Sequence, residues 1–209
     1  MKKILFQGDS ITDANRSRDY RPAMGYGYPT MVAGLLGREY PGELEFVNLG
    51  ISGNRVVDLY ARVGEDMIEE QPDFLTILIG INDVWHEFGE KRNGIENPKF
   101  YRVYSMLIEE LRQKSPKTDV ILLEPFVLKG PATEAKWRLF RDETALRAAS
   151  VKKLAAAYGL TFVPLQSVFD AAAEKAPAVY WLSDGVHPTA MGHGLIAEAV
   201  ADVLRKKLG

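Results

Sequence analysis

Ser10, His187 and Asp184 are the residues of this chain whose types and spacing point to one reaction. A serine hydroxyl is a poor nucleophile unless a base removes its proton as it attacks, and an imidazole suits that work near neutrality. Asp184 precedes His187 by three residues, so a turn can bring its carboxylate to Nδ1 of the ring and leave Nε2 for the serine. Acyl transfer also needs donors for the oxyanion. Gly8 permits a tight turn that would present the Ser10 N–H beside its own hydroxyl, Gly53 can offer a second N–H without a side chain in the way, and Asn82 can offer its amide. Each such donor is typically worth roughly 3 kcal/mol of transition-state stabilisation.

Something must bring positions 10, 53, 82 and 187 together, and the hydrophobic pattern supplies it. Five short apolar runs read as strands: Ile4 to Phe6, Glu45 to Leu49, Phe74 to Ile79, Asp119 to Glu124 and Thr161 to Pro164. They are nearly continuous in apolar character, as suits strands covered on both faces by helices. Phe100, Val103, Tyr104, Leu107, Ile108 and Leu111 draw one helical stripe, begun by Pro98. Trp137, Phe140, Thr144, Ala148, Val151, Ala155 and Tyr158 draw a second, with Gly159 where a left-handed cap belongs. Leu195, Ile196, Ala199, Val200, Val203 and Leu204 draw a third, and shorter helices are expected over Tyr28 to Leu36 and Val56 to Ile68. Strands alternating with helices make an α/β protein with a mainly parallel sheet. In such sheets ligands bind beyond the carboxyl ends of the strands, where Gly8-Asp9-Ser10, Gly50 to Asn54 and Gly80 to Asp83 all fall.

With 209 residues, 46% apolar and 26% charged, the chain is expected to form one domain over 1–209, punctuated by loops such as Lys91 to Pro98 but without a linker. The net charge of −2, with basic and acidic residues interspersed, argues against a nucleic-acid partner. Arg205, Lys206 and Lys207 read as cations offsetting a helix dipole. Without cysteine there is no disulfide, thiolate metal site or cysteine nucleophile. Only Ile4, Leu5 and Phe6 follow the N-terminal lysines before polar residues resume, too short for a signal peptide, and no run is long enough to span a membrane. A cytoplasmic location is expected.

Gly8-Asp9-Ser10, Gly53, Gly80-Ile81-Asn82-Asp83 and Asp184-Gly185-Val186-His187-Pro188, in that order along almost the whole chain, resemble the blocks of the GDSL or SGNH hydrolase family. Ile11 stands where the first block commonly has leucine, a conservative change. The resemblance implies a three-layer α/β/α sandwich with a central five-stranded sheet, flavodoxin-like in outline. It implies Ser10, His187 and Asp184 as catalytic residues, an oxyanion hole of Ser10, Gly53 and Asn82, and no cofactor or metal. Within the family, the wording around Gly53 and Asn82 is similar to small bacterial enzymes that deacetylate xylan-derived sugars. A short-chain acyl ester, acetyl on a carbohydrate, is therefore the expected substrate, with lipase, lysophospholipase or thioesterase activity as the alternatives. Small members of that branch are often oligomeric, so a homo-oligomer is compatible with the resemblance.

Trp85, His86 and Trp181 are candidates to line a sugar pocket, with a core role for each Trp as the competing reading. Asp9 and Asp83 are read as structural carboxylates bonded to nearby backbone, and His193 as stabilising the start of the last helix or pairing with solvent. A rival from another class, a metal-dependent phosphoesterase, would draw its ligands from Asp9, Asn82, Asp83, His86 and His187, but it leaves Ser10 and Gly53 unused. Neither the nucleophile elbow of α/β-hydrolases nor a phosphate-binding loop occurs.

Overall fold

A computed structural model describes residues 1–88 and 92–209. The expected loop from Lys91 to Pro98 therefore begins on a residue outside the described set. Five strands, β1 (Lys2–Gly8), β2 (Leu44–Asn48), β3 (Phe74–Leu78), β4 (Asp119–Leu123) and β5 (Thr161–Val163), form one sheet in the order β2-β1-β3-β4-β5. All four neighbouring pairs are parallel, so the sheet is parallel throughout rather than mainly so. This is the flavodoxin-like order, in which the chain winds outward in both directions from the junction of β1 and β3.

The strands are continuous apolar runs because each face meets its own helical layer. On one face Ile4, Phe6, Phe74, Leu78, Ile121 and Leu123 pack with Val32 and Leu36 of a helix at Tyr28–Glu39 and with Ile196, Val200 and Leu204 of the last helix, Ala190–Leu208. The alternate residues Leu5, Leu75, Ile77, Val120 and Leu122 pack on the other face against Leu59, Leu107, Ile108, Val151 and Leu154. Burying each of these side chains contributes about 1.5–3 kcal/mol. The result is the expected three-layer sandwich.

In chain order the helices are α1 (Ser10–Asp13), α2 (Tyr28–Glu39), α3 (Val56–Ala61), α4 (Ile81–Trp85), α5 (Asn97–Lys114), α6 (Trp137–Tyr158), α7 (Gln166–Ala173), α8 (Ala178–Trp181) and α9 (Ala190–Leu208). The stripes identified in the sequence lie on α5, α6 and α9, and Gly159 caps α6 with φ 63°. The helix expected over Val56 to Ile68 is interrupted: α3 stops at Ala61 and a single wide turn, Gly64–Ile68, comes after it. There the Glu69 N–H reaches back to Gly64 O at 2.9 Å, one residue beyond the α-helical span. The four helices absent from the sequence reading, α1, α4, α7 and α8, have at most eight residues, too few to display a helical period.

Among the described residues no helix is long and apolar enough to cross a membrane.

Candidate active site

The end of β1 turns sharply into α1. Asp9 is the N-cap, its Oδ1 accepting the Ile11 N–H at 3.0 Å, which leaves Ser10 as the first helical residue. Gly8 is required by close approach: a Cβ there would lie 2.4 Å from Leu78 O of β3 and 2.4 Å from Thr12 Oγ1. Ser10 is thus pinned at the junction of β1 and β3, where the winding reverses.

From the opposite end of the chain comes the segment between α8 and α9. An antiparallel bridge of Leu182 with Pro188 and a bond from Ser183 N–H to His187 O at 2.9 Å close it into a tight loop. Gly185, at φ 99°, makes the reversal, and a side chain there would strike Leu128 O at 2.6 Å. The turn folds the Asp184 side chain over the main chain of its C-terminal neighbours, so that Oδ1 accepts the N–H groups of Val186 and His187, each at 2.8 Å. Its Oδ2 is then 2.7 Å from Nδ1 of His187, and His187 Nε2 is 3.0 Å from Ser10 Oγ. A carboxylate facing Nδ1 fixes the ring proton there and leaves Nε2 to accept the serine hydroxyl.

These contacts set the charges. Burial works to raise the Asp184 carboxyl, but the bonds from the His187 ring and from two N–H groups outweigh it and hold the pKa at about 2. The same carboxylate raises the pKa of His187 above 6.5 against the effect of burial.

Gly53 lies in the turn after β2, between two anchors. Ser52 donates both N–H and Oγ–H to Asp13 Oδ2, at 2.8 and 2.9 Å, and Asn54 O accepts Asn82 Nδ2 at 3.1 Å. The position a Gly53 side chain would occupy is open space. Asn82 is buried near the start of α4, and among the described residues the second hydrogen of its amide has no acceptor.

In front of Ser10 and His187 lies an open cleft of about 640 Å³, also lined by Asp13, Asn15, Arg16, Arg18, Tyr26 and Ser52. Apart from Ser52, which falls within the Gly50 to Asn54 block, none of those six is marked by the sequence. Asp13 carries no motif of its own, and Ser52, the partner that gives it a role in the site, lies far along the chain. Burial pushes the Asp13 carboxyl up, but bonds from Arg18 and Ser52 prevail and lower it.

Of the pocket candidates, Trp85 stands beside His187, ring centroids 5.9 Å apart, and edge-on to Phe140 at 5.7 Å. Trp181 packs against the core and meets Tyr180 edge-on at 4.9 Å, so the core reading describes it better. His86 is the C-cap of α4. None of the three is among the residues lining the cleft.

His193 neither pairs with solvent nor supports its own helix start. It is buried, and its Nδ1 accepts the Tyr28 N–H at 3.2 Å, so it caps α2 instead. Burial, then the charge of His187, lowers its pKa to about 4 and keeps it a neutral acceptor. Asp83 accepts the Val56 N–H at the start of α3, the structural role expected of it. The ligand set of the rival phosphoesterase does not assemble: among the described residues no three His, Cys, Asp or Glu side chains are grouped to hold a metal ion.

The chain is 34% identical over 206 residues to the acetylxylan esterase of Geobacillus stearothermophilus, with 95% of this chain and 91% of that one aligned. The crystal structure of that esterase, Axe2, superposes with a TM-score of 0.85 at 34% identity, over 95% of this chain and 92% of that one. A GDSL-like protein of Parabacteroides merdae superposes with a TM-score of 0.86 at 37% identity, over 95% and 93%. Axe2 variants described as catalytic mutants replace one serine, one aspartate and one histidine, the aspartate three positions before the histidine. The model of the GDSL-like lipase/acylhydrolase family matches residues 6–195. The chain belongs to the GDSL-like lipase/acylhydrolase family and is an ester-hydrolysing serine hydrolase.

Proposed function

We propose that this enzyme removes short acyl groups, acetyl above all, from carbohydrate esters, with Ser10 as nucleophile, His187 as general base and Asp184 as the carboxylate that orients and supports the base. The observation that carries the proposal is the unbroken relay from Asp184 Oδ2 through His187 to Ser10 Oγ, at 2.7 and 3.0 Å, opening on a cleft.

In the first half-reaction Ser10 Oγ attacks the ester carbonyl as its proton passes to His187 Nε2. The negative charge on the carbonyl oxygen is met by the N–H groups of Ser10 and Gly53 and by the free hydrogen of the Asn82 amide. His187 returns the proton to the leaving alcohol. A water, deprotonated by the same imidazole, then attacks the acyl-serine, and collapse of that intermediate frees the acid and restores Ser10. The first half needs the cleft to hold the alcohol, and the exposed ring of Tyr26 offers a face to a sugar. Likeness to an acetylxylan esterase supports the carbohydrate assignment.

The test is a comparison, at equal enzyme, of p-nitrophenyl acetate, longer acyl esters and acetylated xylo-oligosaccharides, each with wild type and Ser10→Ala. The expected result is a steep fall beyond short acyl chains, release of acetate from the oligosaccharides, and loss of all turnover in the variant. Faster hydrolysis of long acyl esters would favour a lipase-like role and overturn the substrate assignment.

A further inference from the structure

The wall of the cleft that continues from α1 carries two guanidinium groups and one carboxylate. Arg18 takes the carboxylate: its Nη2 is 2.5 Å from Asp13 Oδ2, and its Nη1 reaches Gly50 O at 3.4 Å. That same Asp13 oxygen already accepts two hydrogen bonds from Ser52. The Arg16 main-chain N–H reaches Asp13 Oδ1 at 3.2 Å, but its guanidinium has carbonyl partners alone, Nε to Gly50 O at 2.8 Å and Nη1 to Ser17 O at 3.5 Å, and among the described residues it has no ion pair. The nearest further arginines bring no spare acid, since Arg21 pairs with Glu70 and Arg62 with Asp66. Asp9 and Asp184 are not part of the cleft lining. Burial, then the charge of Arg18, lowers the Arg16 pKa, and the charge of Asp13, which Arg18 already pairs with, offsets this only in part.

A partly buried guanidinium in a substrate cleft, with no carboxylate of its own, has donors and charge to offer to a ligand. We propose that Arg16, flanked by Arg18, is a subsite for a carboxylate on the alcohol side of the ester, so that the favoured substrates are acetylated saccharides bearing an acidic sugar such as a uronate. The inference rests on the reading of Ser10 as nucleophile and adds to it the charge of the substrate. Exposed Tyr26 lines the same cleft and can stack on the ring that carries the carboxylate.

A series of aryl acetates differing only in charge tests the subsite: 4-acetoxybenzoate, 4-acetoxybenzamide and (4-acetoxyphenyl)trimethylammonium, each kcat/KM divided by the ester's own alkaline hydrolysis rate. In wild type at low ionic strength the anion should be preferred over the cation by about tenfold, and the ratio should shrink as salt is added. Arg16→Gln should bring the ratio to within about twofold of unity, and Arg16→Lys should retain part of it. The ratio within one variant does not depend on how much of that variant is folded, and the salt titration needs no variant at all. Deacetylation of acetylated xylo-oligosaccharides with and without a uronate branch should follow the same order. A flat charge series with turnover that still requires Ser10 overturns the subsite alone. Hydrolysis of the neutral ester that survives Ser10→Ala overturns the nucleophile, and the subsite with it.

Discussion

Asp9 and Ser10 are adjacent in the chain and meet opposite conditions. Ser10 faces the cleft, whereas Asp9 is sealed behind it, and burial lifts its carboxyl to about 7 despite the Ile11 N–H and the nearby His187. The folded protein therefore retains a proton on Asp9 that the unfolded chain sheds near 3.8, and Asp9 costs stability increasingly as pH rises from that value towards 7. Asp9→Asn keeps a carbonyl oxygen for the Ile11 N–H and removes the titration. Its Tm should exceed that of wild type at pH 8, by the equivalent of about 1–3 kcal/mol, and the difference should fade by pH 4; calorimetry showing the same Tm change at both pH values would refute this. His187 carries the opposite consequence. Its protonated form is favoured by Asp184, so its contribution to stability is full below 6.5 and lost as pH rises through the raised value. With His187 as the proposed base, turnover requires the neutral ring, which places the acid limb of the kcat/KM profile above 6.5, and Asp184→Asn should move that limb to lower pH while reducing kcat by at least tenfold. The carboxyl of Asp184 itself stabilises the fold above pH 3.8 and loses that effect only as pH falls towards about 2. The meeting of Ser10, His187 and Asp184 is legible in the sequence from residue type and the three-residue spacing. The buried state of Asp9 is not, because it depends on what β3 and α2 place around it.

At the scale of elements, the site rests on turns too tight for ordinary side chains and on loops tied down from afar. Gly8→Ala would force β1, β3 and α1 apart, since the added carbon meets a main-chain oxygen and a side-chain oxygen at 2.4 Å. A loss of about 1–3 kcal/mol in urea unfolding is expected, together with reduced turnover from a displaced Ser10. Asp13→Ala leaves the N–H and hydroxyl of Ser52 without their acceptor and frees the turn that holds Gly53. With Gly53 no longer fixed, kcat should fall about tenfold or more while Ser10 still reacts with an active-site reagent; an unchanged kcat would show that the turn needs no such tie. The long helices α5, α6 and α9 are readable because their stripes run through several turns. α1 and α4, which aim Ser10 and Asn82, are not, since four or five residues show no period and their boundaries are set by contacts across the sheet. The basic end of α9 reads as a dipole effect in the sequence, and the fold adds partners: Arg205 pairs with Glu39 of α2 and with Asp202.

For the whole molecule, the sheet order places the segments after β1, β2 and β3 at one crevice, and the loop before α9 returns across nearly the full chain to complete it. Alternating strands and helices are enough to expect a parallel α/β sandwich, but not the order of strands, which depends on pairing between distant segments. Nor does the helical stripe of α6 reveal Arg147, fully buried, bonded to Glu143, to Glu87 at 2.5 Å and to Ile95 O at 2.7 Å. This arginine joins α6 to the segments flanking α4 and α5, and Arg147→Ala should cost about 3–5 kcal/mol by leaving two acids unpaired beside a cavity, as read by urea unfolding. These contacts bear on function through one proposed consequence of folding, the activation of the Ser10 hydroxyl. Its most direct test is labelling by a fluorophosphonate followed by peptide mass spectrometry. One adduct per chain is expected, on Ser10, formed fast in the native enzyme, greatly slowed in His187→Ala and absent after unfolding. An enzyme that hydrolyses p-nitrophenyl acetate yet carries its adduct on another residue, or on none, would contradict it.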